Sequence, residues 1–361
     1  MRVIFIYLNA FRSVGGIEEF NKKFIRALDD IDEKNIEIKV LSIHDSNEGF
    51  NLNTKRVDYR GFNGNYLFAI FNLIKFVKKD SLLFYGHINI APFAILLYLL
   101  GLNRKAYFII HGIEVWKRLS IMKIFFLKKF KYLSVSSYTK KLFSLKNDIH
   151  LNNISIFPNC LEITTSKNLN PYDKSEFNLL TVSRLDPNEK YKGIDTLIET
   201  IPFLKKRIPN LKLTIIGKGD DRKRLINIAE HLDVKQYVNF MGFVEKIEGY
   251  YEHCDLFSLP SNGEGFGIVY LEAMKHERLV IAADAGGATD VIQNNFTGKL
   301  CPYGDIKCIS EAILAVYDFP KKHKKIGVSG KDFLISNFTF ERFKERLSLI
   351  ILENKVTEWR I

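Results

Sequence analysis

Two doubly wound α/β domains, each a parallel sheet with helices on both faces, are the architecture this sequence predicts. Three observations lead there. Short apolar runs rich in Val, Ile, Leu, Phe and Tyr recur through the 361 residues and alternate with stretches of helical periodicity, the pattern of parallel strands covered on both faces. The length suits two domains, each able to bury its own core. A polar stretch over 164–176 separates one set of runs from the next. At 47% apolar and 26% charged, with no low-complexity tract, the composition excludes disordered, collagen-like and disulfide-scaffold proteins.

In chain order, the first set of strands is expected at 3–8, 36–43, 82–85, 107–110, 132–135 and 154–157. The second set falls at 179–182, 211–216, 238–241, 256–259 and 279–282. A helix over 18–28 follows Gly15 and Gly16. The N-terminal domain is placed at 1–165 and the C-terminal one at 166–339, with a last helix, about 340–361, packing back on the first. The first ten residues read as a buried strand, not as a secretory leader. The longest apolar run, 91–102, contains Pro92 and Gly101 and falls short of the about 20 residues a bilayer span needs. The four cysteines show no C-x-x-C spacing, so reduced thiols and no structural zinc are expected.

Charge is unevenly spread. Of the net +12, residues 1–165 carry +10 and the remainder +2, which points to an anionic partner on the N-terminal half. Two segments there, 66–79 and 117–133, mix lysines with large apolar residues. They read either as amphipathic helices packed on a sheet or as a surface lying on an anionic leaflet. No helix-turn-helix, zinc-finger or RNP signature accompanies the charge, so nucleic acid is not the expected partner.

The densest chemical constellation is the string from Pro260 to Met274, which follows the strand 256–259 and leads into an apolar helix. Gly265 and Gly267 let a ligand approach the backbone at a helix start, a natural anion site. Glu264 lies beyond the strand end, and Glu272, on the second helical turn, leans back toward the same crevice. Either acid alone could equally be a turn residue or a dipole partner. Upstream, Arg184 and Lys192 project past the strand 179–182, a fork and a point charge suited to a diphosphate. Gly15 and Gly16 form either a phosphate-approach loop or a tight turn, and lack the G-x-G-x-x-G pattern. His111 ends the strand 107–110, where a histidine is as often structural as functional. Asp30 and Asp32 read as a solvated helix end.

With these residues together, the chain resembles the retaining glycosyltransferases of family 4, glycosyl transferases group 1, over about residues 1–345. The E-x7-E element is Glu264 and Glu272 inside Pro-Ser-x-x-Glu-Gly-Phe-Gly; the cation pair is Arg184 and Lys192; the donor-loop glycines are Gly15 and Gly16; the strand-end histidine is His111. Ser183 stands where the family often has glycine, and Asp290 where glutamate is common. The resemblance implies a GT-B fold, two Rossmann-like domains facing across a cleft. It implies a nucleotide-diphosphate sugar, a UDP-sugar being expected, held as substrate with no resident cofactor and no metal. Arg184 and Lys192 would neutralise the diphosphate. Glu264 and His111 would hold the sugar, and Glu272 the ribose. Gly15, Gly16, Gly217, Gly242, Gly265, Phe266 and Gly267 would line the donor. The implied acceptor is a glycan, lipid-linked through undecaprenyl diphosphate, in capsule or O-antigen assembly. The implied location is cytoplasmic, peripheral on the inner face of the plasma membrane. A sugar phosphorylase, a nucleotide-sugar epimerase, or a non-catalytic glycan- or lipid-binding protein are the alternatives.

Overall fold

The computed structural model describes residues 1–13, 15–33, 35–102, 105–163 and 168–352. It forms two compact units, one of Met1–Cys160 with the segment from Phe338 on, the other Leu161–Asn337. Part of the polar stretch read as a domain break, 164–167, and the end of the last helix, 353–361, lie outside the described residues.

The N-terminal unit holds a parallel sheet of β1 (Arg2–Tyr7), β2 (Glu37–Ser42), β3 (Val57–Gly61), β4 (Leu82–Tyr85), β5 (Lys105–Ile110), β6 (Lys131–Ser134) and β7 (Ile154–Ile156). Its order is β3-β2-β1-β4-β5-β6-β7. The second unit holds β8 (Phe177–Val182), β9 (Leu211–Ile216), β10 (Val238–Gly242), β11 (Leu256–Leu259), β12 (Leu279–Ala283) and β13 (Lys299–Cys301), also parallel, in the order β10-β9-β8-β11-β12-β13. Both are Rossmann-type orders. The winding reverses between β1 and β4 in one sheet and between β8 and β11 in the other, and open α/β sheets take their ligands at the carboxyl ends beside that reversal.

Side-chain alternation assigns the N-terminal helices to faces. Ile4, Ile6, Leu83, Tyr85, Phe108 and Ile110 share one core with the helices Tyr66–Phe76, Ala91–Leu99 and Ile121–Leu127. On the other face Phe5 and Phe84 meet Phe24 of the helix Gly16–Asp29. Phe343, from the helix Phe340–Leu352, packs edge-on against Phe20, Phe24 and Phe157. Such ring pairs add about 1 kcal/mol each beyond area burial.

Three features correct the sequence reading. Strands β3 and β13 escaped it: β13 is only three residues, Lys-Leu-Cys, with two of them half-exposed, and β3, Val-Asp-Tyr-Arg-Gly, leaves every other residue exposed, so no continuous apolar run marks either. The segment 117–133 is not one helix. Helix covers only Ile121–Leu127, because Tyr132 and Leu133 are drawn into the sheet as β6, beside β5. Finally, the expectation of reduced thiols fails at one pair: Cys301 and Cys308 are joined in a disulfide, with Cα atoms 5.8 Å apart. The corner from β13 through Gly304, at φ +75°, into the helix Ile306–Asp318 brings them within bridging range. Cys160 and Cys254 are buried free thiols.

Candidate active site

In the second unit, the loops leaving β8 and β11 meet at the topological reversal. After β8 the chain passes Ser183 and Arg184, makes a short 3-10 turn over Pro187–Lys192 and enters the helix Ile194–Leu204 through Gly193 at φ +69°. That glycine is required twice over: its backbone is left-handed, and a Cβ there would sit 2.5 Å from the Pro260 carbonyl. The corner therefore presses the Lys192 loop against the start of the Pro260–Gly267 loop, where the Asn262 amide donates to the Tyr191 carbonyl at 2.8 Å.

The result is a direct union of two residues 72 positions apart. Lys192 Nζ donates to Glu264 Oε1 at 2.5 Å, with side chains only 15% and 12% exposed. Burial raises the Tyr191 phenol above its ordinary value, with the negative charges of Glu189 and Glu264 adding to the effect, so Tyr191 stays a neutral wall beside the pair. Arg184 projects further out, 70% exposed, and its guanidinium is held by Glu189 Oε1 at 2.5 Å. It is thus an exposed cation at the end of β8, anchored by a carboxylate on its own loop.

The loop after β12 braces the acidic string from behind. Gly287 N–H donates to the Glu264 carbonyl at 2.7 Å, and a Cβ on Gly287 would lie 2.4 Å from the Gly265 carbonyl. Gly267 caps the helix Ile268–Lys275 at φ +86°, with Phe266 buried before it. On that helix Glu272 accepts a 2.7 Å hydrogen bond from the hydroxyl of Tyr251. Tyr251 is fully buried, and desolvation, with Glu272 adding, holds its phenol protonated far above the usual range. A neutral donor is thereby fixed on Glu272, and the acid's direction is set before any ligand arrives.

A third glycine knot closes the side of the crevice. Gly217 follows β9 at φ +141°, and a Cβ on it would meet the Ser183 carbonyl at 1.8 Å; its N–H donates to the carbonyl of Gly242 at 2.8 Å. The ends of β8, β9 and β10 are thus tied together through Gly217. Gly242 itself is left-handed, at φ +71°, and faces open space.

The N-terminal unit gathers its own cluster at the corresponding reversal. Gly15 caps the helix Gly16–Asp29 in an extended conformation, and Gly16 has nothing within 4 Å of where a Cβ would stand. A tight left-handed turn therefore does not account for the glycine pair. His111 is buried after β5; its Nε2 lies 2.9 Å from the Gly86 carbonyl and its N–H donates to Glu114 at 2.5 Å. Burial lowers its pKa. The sequence reading missed His87, after β4, whose ring is stacked 6.4 Å from that of His111. Burial pushes His87 down to about 4, opposed by Glu114 and Glu18, and protonating His111 beside it would push it further. The unfolded chain, with an ordinary value of 6.5, takes the proton first. Stability from keeping His87 neutral is therefore full above pH 6.5 and is lost as pH falls toward 4. Chemical-denaturation curves at pH 7.5 and 4.5 are expected to show this loss, and His87→Asn to reduce it.

Among the sequence-predicted residues, the structure thus brings together Lys192 and Glu264, places Arg184 on the loop after β8 and Glu272 on the helix after β11, and groups Gly265, Phe266 and Gly267 at one helix start. Gly15, Gly16 and His111 stand in the other unit. Tyr191, Tyr251, Glu189 and Gly287 complete the site; Tyr191 could have been found from its place beside Lys192, whereas nothing near Glu272 in sequence announces Tyr251. No group of three or more His, Cys, Asp or Glu able to hold a metal ion occurs among the described residues.

Comparison with known proteins identifies the fold and a family match for the second unit. Residues 163–333 match the family Glycosyl transferases group 1. A similar curated protein is the GDP-mannose-dependent alpha-(1-6)-phosphatidylinositol monomannoside mannosyltransferase of Mycolicibacterium smegmatis, 29% identical over 182 residues that make up 48% of this chain and 47% of that one. The chain spans about half the length of the curated relatives it matches. Among solved structures, it is similar to Anabaena Alr3699/HepE in complex with UDP, with a TM-score of 0.79 at 18% identity over 98% of this chain and 100% of that one. It is also similar to a glycosyltransferase from Rickettsia africae ESF-5, with a TM-score of 0.77 at 19% identity over 98% and 99%. The chain has the two-domain GT-B fold of these glycosyltransferases, and its segment 163–333 matches glycosyl transferases group 1.

Proposed function

We propose that the protein is a retaining glycosyltransferase of family 4, moving a sugar from a nucleotide diphosphate to a hydroxyl of a glycan. The observation that carries the reading is the Lys192–Glu264 pair at the β8/β11 reversal, flanked by Arg184 and by Glu272 on its Tyr251 anchor. A cation beside a carboxylate is what a sugar diphosphate asks for. The carboxylate accepts from sugar hydroxyls, and the cation meets the phosphate.

In the reaction, the bond from the anomeric carbon to the diphosphate oxygen breaks. A bond from that carbon to the acceptor oxygen forms on the same face, and the acceptor proton passes to the departing phosphate. Negative charge grows on the leaving group, so Lys192 and Arg184 stabilise the transition state more than the ground state. Lys192 leaves Glu264 for the phosphate as donor enters, which frees Glu264 for the sugar. Glu272 takes the ribose hydroxyls. His111, neutral and buried, is assigned a part in orienting the sugar. A UDP-sugar is the expected donor, supported by the UDP in the Anabaena neighbour; GDP-mannose, named for the Mycolicibacterium relative, is the second choice. That relative's name also specifies a phosphatidylinositol-linked glycan, which supports a lipid-linked acceptor, here undecaprenyl diphosphate-linked, in surface polysaccharide assembly.

The test is nucleotide release from UDP-, GDP- and ADP-sugars by the purified protein. Release from one class, independent of added inorganic phosphate, is expected; phosphate dependence would mark a phosphorylase, and sugar conversion without release an epimerase. Arg184→Ala is expected to lower turnover by about 100-fold or more while changing donor affinity much less. Unchanged turnover would overturn the mechanism.

A further inference from the structure

Three helices of the N-terminal unit stand side by side on one face of its sheet. Tyr66 of the first and Phe93 of the second have ring centroids 6.2 Å apart, and the second, Ala91–Leu99, touches the third, Ile121–Leu127. Their inner sides are core: Leu73, Ala94, Leu97 and Leu127 are fully buried. Their outer sides are apolar too. Leu67 is 82% exposed, Ile121 78% and Phe125 67%, with Phe71, Leu99 and Met122 also bare. A surface helix ordinarily turns a polar side to water, and a contiguous apolar field on a monomer marks a contact surface.

The charge around this field selects the partner. From 61 to 148 the chain carries fourteen Lys and Arg against three acids, Asp80, Glu114 and Asp148; the Glu114 carboxylate faces inward to the His111 N–H, and Asp148 is paired with Lys128. Lys75, Lys117, Lys123 and Lys129 are exposed beside the apolar rows. A second copy of the chain would set this charge against itself. Nucleic acid would match the charge and leave the aliphatic rows unused. An anionic bilayer satisfies both, taking the apolar side chains at the headgroup–acyl boundary and the lysines at its phosphates. Among the described residues no helix is long and apolar enough to cross a membrane, so contact through this field is lateral.

We infer that the outer face of these three helices is a docking surface for an anionic lipid bilayer, the helix Ala91–Leu99 forming its centre. The inference does not rest on the transferase reading. Flotation of the full chain with phosphatidylcholine vesicles, with and without phosphatidylglycerol, tests it. Binding is expected only with the anionic lipid, and to weaken as salt rises. Lys117→Glu, Lys123→Glu and Lys129→Glu together are expected to weaken it by more than about tenfold, and Leu67→Ser, Phe71→Ser and Phe125→Ser together by a similar factor. All six positions are exposed, so circular dichroism and the melting midpoint should match the parent. Absence of flotation at low salt overturns the inference. So does flotation that neither variant weakens, or a solution dimer that the serine variant dissociates. Glu272→Ala is expected to float like the parent, so a loss of donor binding and a loss of membrane binding are told apart.

Discussion

Lys192→Ala is expected to lower sugar transfer by about 1000-fold and to destabilise the second unit by about 3 kcal/mol. The two effects share one cause. In the resting site the ammonium is 2.5 Å from Glu264, and both side chains are nearly buried; removing it strands a carboxylate where water reaches poorly. In the reacting site the same cation would face the departing diphosphate. Steady-state kinetics with a saturating donor and a denaturant titration separate the two. Lys192→Arg, which keeps the charge but not the reach, is expected to recover most of the stability and little of the turnover. Glu264→Gln together with Lys192→Ala is expected to recover stability without turnover, since no stranded charge remains. Normal turnover in Lys192→Ala would remove the cation from the mechanism.

Gly217→Ala should be the most damaging methyl addition in the site. The new carbon would fall 1.8 Å from the Ser183 carbonyl, on a backbone at φ +141° that alanine rarely adopts. Neither atom it meets is a movable side-chain tip, so the ends of β8 and β9 must separate. A cost of roughly 4 kcal/mol is expected, or about 10 °C in the melting midpoint of a unit this size, with donor binding lost as the crevice deforms. Calorimetry checks it, and Gly16→Ala supplies the contrast: with nothing within 4 Å and no left-handed backbone, it should leave the midpoint unchanged. A melting curve for Gly217→Ala that overlays the parent would mean the knot is not a constraint.

These two positions also show what the sequence can convey. The fold was legible because interior strands advertise themselves: β1, β4, β5, β8, β9, β11 and β12 are predominantly apolar and buried along nearly their whole length. Edge strands β3 and β13 carry no such mark. Glu264, Glu272, Arg184 and Lys192 could be read because residue type, strand end and helix start coincide at each. Their supports could not. Tyr251 reaches Glu272 from another helix, and the contact depends on tertiary packing alone. His87 sits in an unremarkable run, and only the pairing of β4 with β5 brings it beside His111. The disulfide belongs to the same class, since a corner at Gly304 sets its span and no Cys spacing rule does.

The helix Phe340–Leu352 belongs to the unit that begins at Met1, and Phe343 within it is fully buried among Phe20, Phe24 and Phe157. During synthesis, then, residues 1–160 leave the ribosome with an aromatic flank uncovered and stay so until Phe343 and its helix have emerged, after the intervening unit. The later-made unit, whose chain is continuous, can complete itself first. Maturation of this protein runs out of order, and a premature stop near position 335 would leave a finished C-terminal unit joined to an adhesive, unclosed N-terminal one.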